Sequence, residues 1–302
     1  MNTELRLKRL RRSMMFVSAQ RPGLMKDAYI FKPDSLLLDL EDAVAENQKD
    51  AARFSLYHAL KTVDFKGVER VVRINGLDTP HWQEDIRVVV AGGADALRIA
   101  KCEKAEDVHT VVSHLEMAEM EFGVEPGTTL VMAALESPLG ILNAYEICTA
   151  CPQRMIGVAI SGGDFRKSMH TKYYPGGLEM LGARSHMLIA ARAAGVQCFD
   201  TVFTDLDDMD GFRMEVEQNK QMGFDGKSLI SPRQIAVVHE VFAPTAKEIA
   251  DAEKIVRVWR ENSKKGIGVF TVDGKMIDIA FIPGAERVIM MAKASGLYRG
   301  DL

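Results

Sequence analysis

The feature that most constrains this chain is the repetition of a short apolar run followed by a longer segment with helical spacing of its apolar residues. The apolar runs are Met14–Val17, Leu36–Leu40, Arg70–Ile74, Ala96–Ile99, Leu130–Leu135, Ile156–Ile160, Cys198–Phe203 and Lys227–Ile230. Several of them lack polar alternation, which is typical of parallel strands that are covered on both faces. Eight such units predict an α/β fold, the closed (β/α)8 TIM barrel. No Gly-x-Gly-x-x-Gly follows the first run, so a dinucleotide-binding sheet has no support.

Residues 244–302 follow a different pattern. A predicted helix starts at Pro244-Thr245 and runs to about residue 265. Asp273-Gly274 then predicts a two-residue turn between short strands, and a last helix follows Pro283. We therefore predict a TIM-barrel catalytic domain over residues 1–243. Residues 244–302 form a short helix-hairpin-helix extension, which is a candidate for packing on a neighbouring subunit.

Composition narrows the class of protein. The chain has 38 Lys+Arg and 42 Asp+Glu, a net charge of −4, which gives no general attraction to nucleic acid or to acidic membranes. No apolar run approaches the roughly 20 residues of a membrane helix, and four cysteines are too few for a disulfide framework in 302 residues. We predict a cytoplasmic protein with neither nucleic acid nor membrane as partner. The basic residues between Arg6 and Arg12 predict a solvated arm, with contact to an acidic partner as the alternative.

In a barrel of this kind, functional side chains lie where the strands end, at the carboxyl rim. The charged residues that end or follow the predicted strands are Asp39, Glu41, Asp42, Arg73, Arg98, Lys101, Glu136, Asp164, Asp200 and Asp205. The packing of buried strands does not by itself require so many charged residues at the strand ends. The sequence therefore predicts a polar site at this rim.

Glu136 and Asp164 are the most informative pair, because they follow two strands that are neighbours in the predicted barrel. Two carboxylates brought together share either a proton or a cation, and oxygen ligands with room for water suit Mg²⁺. The alternative is that each carboxylate only caps the next helix. Arg73 can hold a substrate carboxylate by two parallel hydrogen bonds, or it can pair with Glu41 or Asp42.

Seven blocks of sequence in a consistent order resemble the HpcH/HpaI aldolase family, and within it the citrate lyase beta subunits and their relatives. The blocks are residues 11–17, 38–44, 72–75, 134–140, 223–230, 232–235 and 274–278. The resemblance implies a Mg²⁺-dependent carbon–carbon lyase of the retro-Claisen or aldol type. Such an enzyme cleaves a 3-hydroxyacyl thioester to an acetyl-type thioester and a 2-oxo acid. It also implies a homo-oligomer, often a trimer.

The resemblance also assigns roles to residues of this chain. Glu136 and Asp164 match the metal ligands, and Arg73 matches the residue that binds the carboxylate of the 2-oxo acid. Glu41 and Asp42 match acids that line the water shell of the metal.

Further roles concern the proton transfers and the substrate. Asp278 lies in the block that supplies an acid from a neighbouring subunit, and we expect it to protonate the enolate carbon. Lys101, Asp42 and a metal-held water are the candidates for the base. Gly162 and Gly163 allow close approach of the backbone to an anion, and with Lys101 they are candidate substrate-binding residues.

Three hypotheses of function remain. The first is cleavage of a citryl group carried by an acyl carrier protein, as the beta subunit of a citrate lyase with alpha and gamma subunits. The second is a stand-alone lyase acting on citramalyl-CoA or malyl-CoA. The third is a non-catalytic scaffold subunit, which predicts no metal site and is disfavoured by the combination of Glu136, Asp164 and Arg73.

Overall fold

The computed structural model describes residues 9–302, and its main feature is a closed parallel barrel. Its strands are β1 (Ser13–Ser18), β2 (Ser35–Asp39), β3 (Glu69–Ile74), β4 (Ala96–Ile99), β5 (Leu130–Leu135), β6 (Met155–Ile160), β7 (Gln197–Asp200) and β8 (Gly226–Leu229). Each strand pairs with the next in sequence, and β1 closes the ring on β8 with Met14 opposite Ser228. The predicted (β/α)8 barrel is confirmed.

Helices follow the strands around the barrel. They are α1 (Pro22–Asp27), α2 (Lys49–Thr62), α3 (Trp82–Gly92), α4 (Ala105–Phe122), α5 (Pro138–Leu142), α6 (Ala144–Thr149), α7 (Gly162–Ser168), α8 (Leu178–Ala194), α9 (Met209–Met222) and α10 (Arg233–Phe242). Helix α9 shows how the sequence sets their ends. Asp208 caps its first turn by accepting from the Gly211 N–H at 2.8 Å, and Gly223 ends it with φ 101°.

The interior of the barrel is apolar and closely packed. Side chains from most of the strands meet on its axis, namely Met14, Leu37, Val71, Ala96, Leu130, Met132, Ile156, Ala159 and Phe199. Each of the larger side chains among them, from valine to phenylalanine, contributes about 1.5–3 kcal/mol when fully buried, through the hydrophobic effect. The filled interior leaves ligand space only at the ends of the strands.

Two expectations about the strand ends and the N-terminus are wrong. Strand β7 ends at Asp200 rather than Phe203; Phe203 is buried in the following loop, with its ring centroid 5.6 Å from that of Phe212. The basic N-terminal residues are not a solvated arm where they are described, because Arg11 pairs with Glu69 at 2.6 Å and Arg12 with Asp34 at 2.8 Å. Residues 1–8 lie outside the described part of the chain.

The chain divides into two compact units between Val238 and His239, within α10. The second unit contains α11 (Ala246–Ser263), the antiparallel strands β9 (Val269–Val272) and β10 (Lys275–Asp278), and α12 (Ile282–Ala294). Helix α11 begins with a capping box, in which the Glu248 N–H donates to Thr245 Oγ1 at 3.1 Å and the Thr245 N–H donates to Glu248 at 2.6 Å. The predicted helix, hairpin and helix are thus present.

Across residues 9–302, no helix is both long and apolar enough to cross a membrane. The four cysteines are free thiols and all are buried. Cys148 and Cys151 have raised pKa values because burial disfavours the thiolate. The Cys148-x-x-Cys151 pair is therefore part of the packing in this structure.

Candidate functional site

The polar site is formed by the inward-facing side chains that come next along the strands after those of the apolar core. Core side chains on β2, β3 and β4 are Leu37, Val71 and Ala96. Two residues further along the same strands are Asp39, Arg73 and Arg98. Because side chains two residues apart point to the same face of a strand, these three charged groups lie inside the mouth of the barrel. Strand register agrees, since Asp39 is opposite Arg73 and Arg73 is opposite Arg98.

Two adjoining cavities open at this mouth. The inner one, of about 350 Å³, is lined among others by Phe16, Asp39, Arg73, Arg98 and Asp164. The outer one, of about 690 Å³, is lined among others by Lys101, Lys104, Glu136, Asp164 and Lys167. Asp164 lines both cavities, so it marks where they meet. The arrangement provides a small polar chamber and a larger vestibule with three lysines.

Glu136 and Asp164 come together as the sequence predicts. Glu136 follows β5 and is only 3% exposed, and the Asp164 carboxyl in the first turn of α7 is near enough to affect its pKa. Burial, together with the neighbouring Glu41 and Asp164 carboxyls, raises the pKa of Glu136 to about 7 against the opposing effect of Arg73. Glu136 Oε1 accepts from the Lys101 N–H at 3.2 Å, while its Oε2 is buried without a hydrogen-bond partner.

That arrangement fits a divalent cation. A buried carboxylate oxygen without a partner costs free energy. A second carboxylate beside it adds repulsion between two negative charges. A hard cation bound by both carboxylates would remove both costs, and Mg²⁺ binds through one or two carboxylates while keeping several waters. Within residues 9–302, no group of three or more His, Cys, Asp or Glu side chains forms a fuller metal site. The donor set therefore suits a hydrated Mg²⁺ ion.

Arg73 is held rigidly at the mouth. Its Nε and Nη2 each donate to Asp39 at 2.7 Å, its Nη1 lies 3.0 Å from Glu41, and its guanidinium carbon is 4.8 Å from the centre of the Phe16 ring. The sequence left open whether Arg73 holds a substrate or pairs with an acid. In this structure it pairs with two buried acids, and Asp42 is 4.0 Å from it.

Lys101, Glu41 and Asp42 form a second polar group beside Arg73. The Lys101 ammonium contacts Glu41 and lies 3.6 Å from Asp42. Burial acts to lower the pKa of Lys101, but the contact with Glu41 outweighs it and raises that pKa above its ordinary value. The Glu41 side chain is 5% exposed, and the Asp42 side chain is 58% exposed. Lys101 is thus a stable cation, and Asp42 is the open carboxylate.

The two glycines differ in what they do. The Gly162 N–H donates to Thr201 Oγ1 at 2.8 Å, and a Cβ at Gly162 would meet that same oxygen at 2.8 Å. The Gly162 N–H is therefore already bound to Thr201 in this structure, and the close approach of an anion to the two glycines stays a prediction. Gly163 lines the inner cavity, and a Cβ there would meet nothing within 4 Å.

Arg98 extends across the barrel. Its Nη1 donates to Ser228 Oγ on β8 at 3.3 Å, and its Nη2 lies 3.0 Å from Met14 Sδ on β1. The side chain is 2% exposed in total and its Nε is buried without a partner. Burial and the nearby Arg73 together lower the pKa of Arg98 to about 9, against the opposing effect of the Glu136 and Asp39 carboxylates, and the guanidinium stays charged at neutral pH.

Two of the predicted rim acids are elsewhere. Asp200 points away from the barrel axis and pairs with Arg184 and Lys227, both at 2.8 Å. Asp205 accepts from the Asp207 N–H at 3.1 Å and belongs to the loop before α9. Asp278 ends β10 in the C-terminal unit, where its Oδ1 accepts from the Ala280 N–H at 2.9 Å.

Several site residues were given no specific role by the sequence, although Asp39 was among the charges predicted at the rim. Asp39 is fully buried and anchors Arg73, while Ser228 contacts Arg98. Lys104 and Lys167 line the outer cavity. The sequence did contain a signal for Asp39 and Ser228, because alternate side chains along a strand point to the same face of the barrel. The two lysines follow strands by several residues, and no short pattern marks them.

Comparisons with known proteins agree with this geometry. A family model described as HpcH/HpaI aldolase/citrate lyase matches residues 12–232. The chain belongs to this family. Citrate lyase subunit beta of Leuconostoc mesenteroides subsp. cremoris is 50% identical over 293 residues, covering 97% of each chain. The Escherichia coli K12 citrate lyase subunit beta is 42% identical, covering 96% of this chain and 95% of its own. A (3S)-malyl-CoA thioesterase of Cereibacter sphaeroides ATCC 17029 is 34% identical, covering 96% of this chain and 97% of its own.

Solved structures of family members are similar as well. The CitE protein of Mycobacterium tuberculosis in complex with magnesium, acetoacetate and coenzyme A has a TM-score of 0.74 and 27% identity, covering 94% of this chain and 98% of its own. A citrate lyase beta subunit from the same organism, complexed with oxaloacetate and magnesium, has a TM-score of 0.66 and 28% identity, covering 79% of this chain and 99% of its own. Both relatives were therefore solved with magnesium.

Proposed function

We propose that this protein is a Mg²⁺-dependent carbon–carbon lyase that cleaves a citryl thioester to an acetyl thioester and oxaloacetate, as the beta subunit of a citrate lyase. The observation that carries the proposal is the buried Glu136, with one oxygen lacking a partner, next to the partly exposed Asp164 and beside two buried arginines at a barrel mouth. The 50% identity to a citrate lyase beta subunit over nearly the full chain supports the choice of the citryl group.

Glu136 and Asp164 would hold the Mg²⁺ ion. When bound, the ion supplies Lewis-acid stabilisation of the negative charge on the oxygen of the forming carbonyl. The CitE protein and the citrate lyase beta subunit solved with magnesium support this cofactor.

The reaction needs one proton to leave the substrate hydroxyl and one to reach the enolate carbon after the carbon–carbon bond breaks. Lys101 is a poor base, since the contact with Glu41 raises its pKa. Asp42 lines the inner cavity with an open carboxylate, and this favours Asp42 as the base, acting directly or through water. Glu41 holds both Arg73 and Lys101, so its role is to position them.

Asp278 remains our candidate for the acid that protonates the enolate carbon. Residues 244–302 would bring it to the active site of a neighbouring subunit in a homo-oligomer, which we propose to be a trimer. Its half-buried position at the end of a small hairpin is suitable for such a contact. We further propose that the protein works in the cytoplasm with citrate lyase alpha and gamma subunits.

The outer cavity suits the carrier end of the thioester. Lys101, Lys104 and Lys167 line it, and ammonium groups bind phosphate as point charges. Coenzyme A and the phosphate-bearing arm of an acyl carrier protein both present such groups. A stand-alone lyase for citramalyl-CoA or malyl-CoA is the second candidate, favoured by the similarity to the CitE structure that contains coenzyme A.

The test is cleavage by the purified full-length protein with Mg²⁺, using citryl-CoA, citramalyl-CoA and malyl-CoA. Glu136→Ala is the control for the metal site. Cleavage of citryl-CoA, or of a citryl group only after an acyl carrier protein and a transferase subunit are added, supports the proposal. Glu136-dependent cleavage of citramalyl-CoA or malyl-CoA with no citryl activity in either form would refute it in favour of the second candidate.

A further inference from the structure

Arg98 is the one buried cation of the barrel mouth that has no carboxylate partner among the described residues. Its two contacts within hydrogen-bonding distance are a hydroxyl and a thioether sulfur, and its Nε has none. The hydroxyl belongs to Ser228 on β8, which lies opposite β4 in the closed barrel. The guanidinium is therefore on the barrel axis, where it also lines the inner cavity.

Arg73 provides the contrast. Two carboxylates, Asp39 and Glu41, already compensate its charge at 2.7 and 3.0 Å. Both arginines line the same cavity of about 350 Å³. The positive charge still available to an incoming anion is therefore on Arg98.

A purely structural role gives no reason for this charge. A buried ion without a partner costs several kcal/mol, and an apolar side chain of similar length would fill the same space without that cost. Met14 and Met132 are adjacent to Arg98, and the carboxylates of Asp39 and Glu136 favour its charged form from a distance without forming an ion pair with it. An anion that enters the cavity with the substrate would compensate the charge.

The chemistry of the substrates identifies the anion. The citryl group carries two free carboxylates. One is on the hydroxyl-bearing carbon, at which the carbon–carbon bond breaks, and the other is at the end of a CH₂ side arm. The citramalyl and malyl groups have only the first. If bond cleavage occurs beside Glu136 and Asp164, the side arm must extend into the inner cavity, because Asp164 marks its entrance.

We propose that Arg98 binds the side-arm carboxylate of the citryl group, which becomes the distal carboxylate of oxaloacetate, and so selects citryl thioesters over citramalyl and malyl thioesters. This inference rests on the proposed function. It makes Arg98 a specificity-determining residue, and Ser228 a residue that positions its guanidinium.

The experiment compares wild type with Arg98→Met and Arg98→Lys. The kcat/KM values for citryl and citramalyl thioesters are measured on the carrier that the wild type accepts. Binding of oxaloacetate and of pyruvate, in the presence of Mg²⁺, is measured by calorimetry. Met132→Leu is the matched control, because Met132 is opposite Arg98 on β5 and this substitution changes packing without charge.

Arg98→Met should lower kcat/KM for the citryl thioester and weaken oxaloacetate binding by roughly 10- to 150-fold, the range for hydrogen bonds to charged groups. Citramalyl cleavage and pyruvate binding should change by less than about threefold, and Arg98→Lys should restore part of the loss. Met132→Leu should leave the ratio of the two substrates unchanged.

Equal losses on both substrates, or no loss on either, would overturn the inference. If Arg98→Met does not fold, Arg98→Lys and the wild-type preference for oxaloacetate over pyruvate decide the matter. The inference would also be overturned if the wild type bound oxaloacetate and pyruvate equally and the Arg98→Lys variant had the same affinities and kcat/KM values as the wild type. Failure of the proposed function is distinguishable, because it appears in the wild type as absence of citryl cleavage.

Discussion

Two groups of buried charges in this barrel are organised in opposite ways. Outside the ring of strands, Arg184, Asp200, Glu215 and Lys227 alternate in sign, and each lies within 3.2 Å of an opposite charge. Inside the mouth, among residues 9–302, Arg98 forms no ion pair with a carboxylate and one oxygen of Glu136 has no hydrogen-bond partner. Every charged group of the first set has an opposite charge beside it within the same chain. We propose that the second group is completed by a bound cation and a bound anion.

The difference shows where the molecule uses charge for stability and where it uses charge for binding. Paired buried ions are expensive to break, because removing one leaves the other uncompensated. Unpaired buried ions have already incurred that cost in the folded protein. Substitutions in the outer group should therefore lower stability much more than activity. Substitutions at the mouth should lower activity much more than stability.

The largest effect we expect is on catalysis at the mouth. Glu136→Ala should lower kcat/KM by about 10⁴-fold, equivalent to roughly 5 kcal/mol, because it removes one of the two ligands proposed for Mg²⁺. The free energy of unfolding without Mg²⁺ should fall by no more than about 1 kcal/mol, since Glu136 Oε2 has no partner to lose. Steady-state kinetics and urea denaturation measure the two effects. A large stability loss with modest kinetic loss would make Glu136 a structural residue.

The next effect is on stability in the outer group. Lys227→Met should lower the free energy of unfolding by about 3–5 kcal/mol, because Asp200 and Glu215 would lose a shared partner at 2.8 and 2.5 Å. Urea denaturation at neutral pH measures it. The activity of the folded fraction should stay within about threefold of wild type. If unfolding is unchanged, the outer group is not the stabilising element that its geometry indicates.

Acid should weaken the outer group. Burial by itself raises the pKa of Asp200, but Lys227 and Arg184 outweigh it and hold the pKa well below its ordinary value. Because the folded-state pKa is the lower one, this stabilisation is present above about pH 4 and is lost as pH falls through the folded-state pKa. Asp200→Asn should flatten the decline in unfolding free energy between about pH 4 and 2, by on the order of 2 kcal/mol. Parallel wild-type and variant curves would contradict it.

Arg98→Met should act in the opposite direction to Lys227→Met. Removing a buried charge that lacks a counterion should raise the free energy of unfolding by about 1–2 kcal/mol while lowering activity on the citryl thioester. Thermal and urea unfolding of the two methionine variants, measured side by side, check this. A destabilised Arg98→Met would indicate that Ser228 and Met14 compensate the guanidinium better than their distances of 3.3 and 3.0 Å suggest.

The smallest effect concerns Ser228. Its hydroxyl accepts from Arg98 at 3.3 Å, which is a long hydrogen bond. Ser228→Ala should weaken oxaloacetate binding by no more than about fivefold and leave pyruvate binding unchanged. Calorimetry with both oxo acids is sufficient, and a change in pyruvate binding would show that Ser228 acts on the site as a whole.

Particular residues show how far the sequence could go towards the site. Glu136 and Asp164 were identified because each follows an apolar run directly, and successive strands are neighbours in a barrel. Arg98 and Asp200 both lie within such runs, and their side chains nevertheless point to opposite faces. Strand ends are uncertain by a residue or two, and a shift of one residue reverses the direction of every side chain.

The sequence by itself determined the strand order, the closed barrel, the carboxylate pair and the helix-hairpin-helix at the C-terminus, because these depend on local periodicity, turn residues and chain order. Only the tertiary structure decided which charges are paired. Arg73 meets Asp39 across neighbouring strands, while Arg98 extends from β4 to β8 and forms no ion pair with any described carboxylate. Compensation of a charge depends on distances of a few ångströms between distant parts of the chain, and no local pattern encodes those distances.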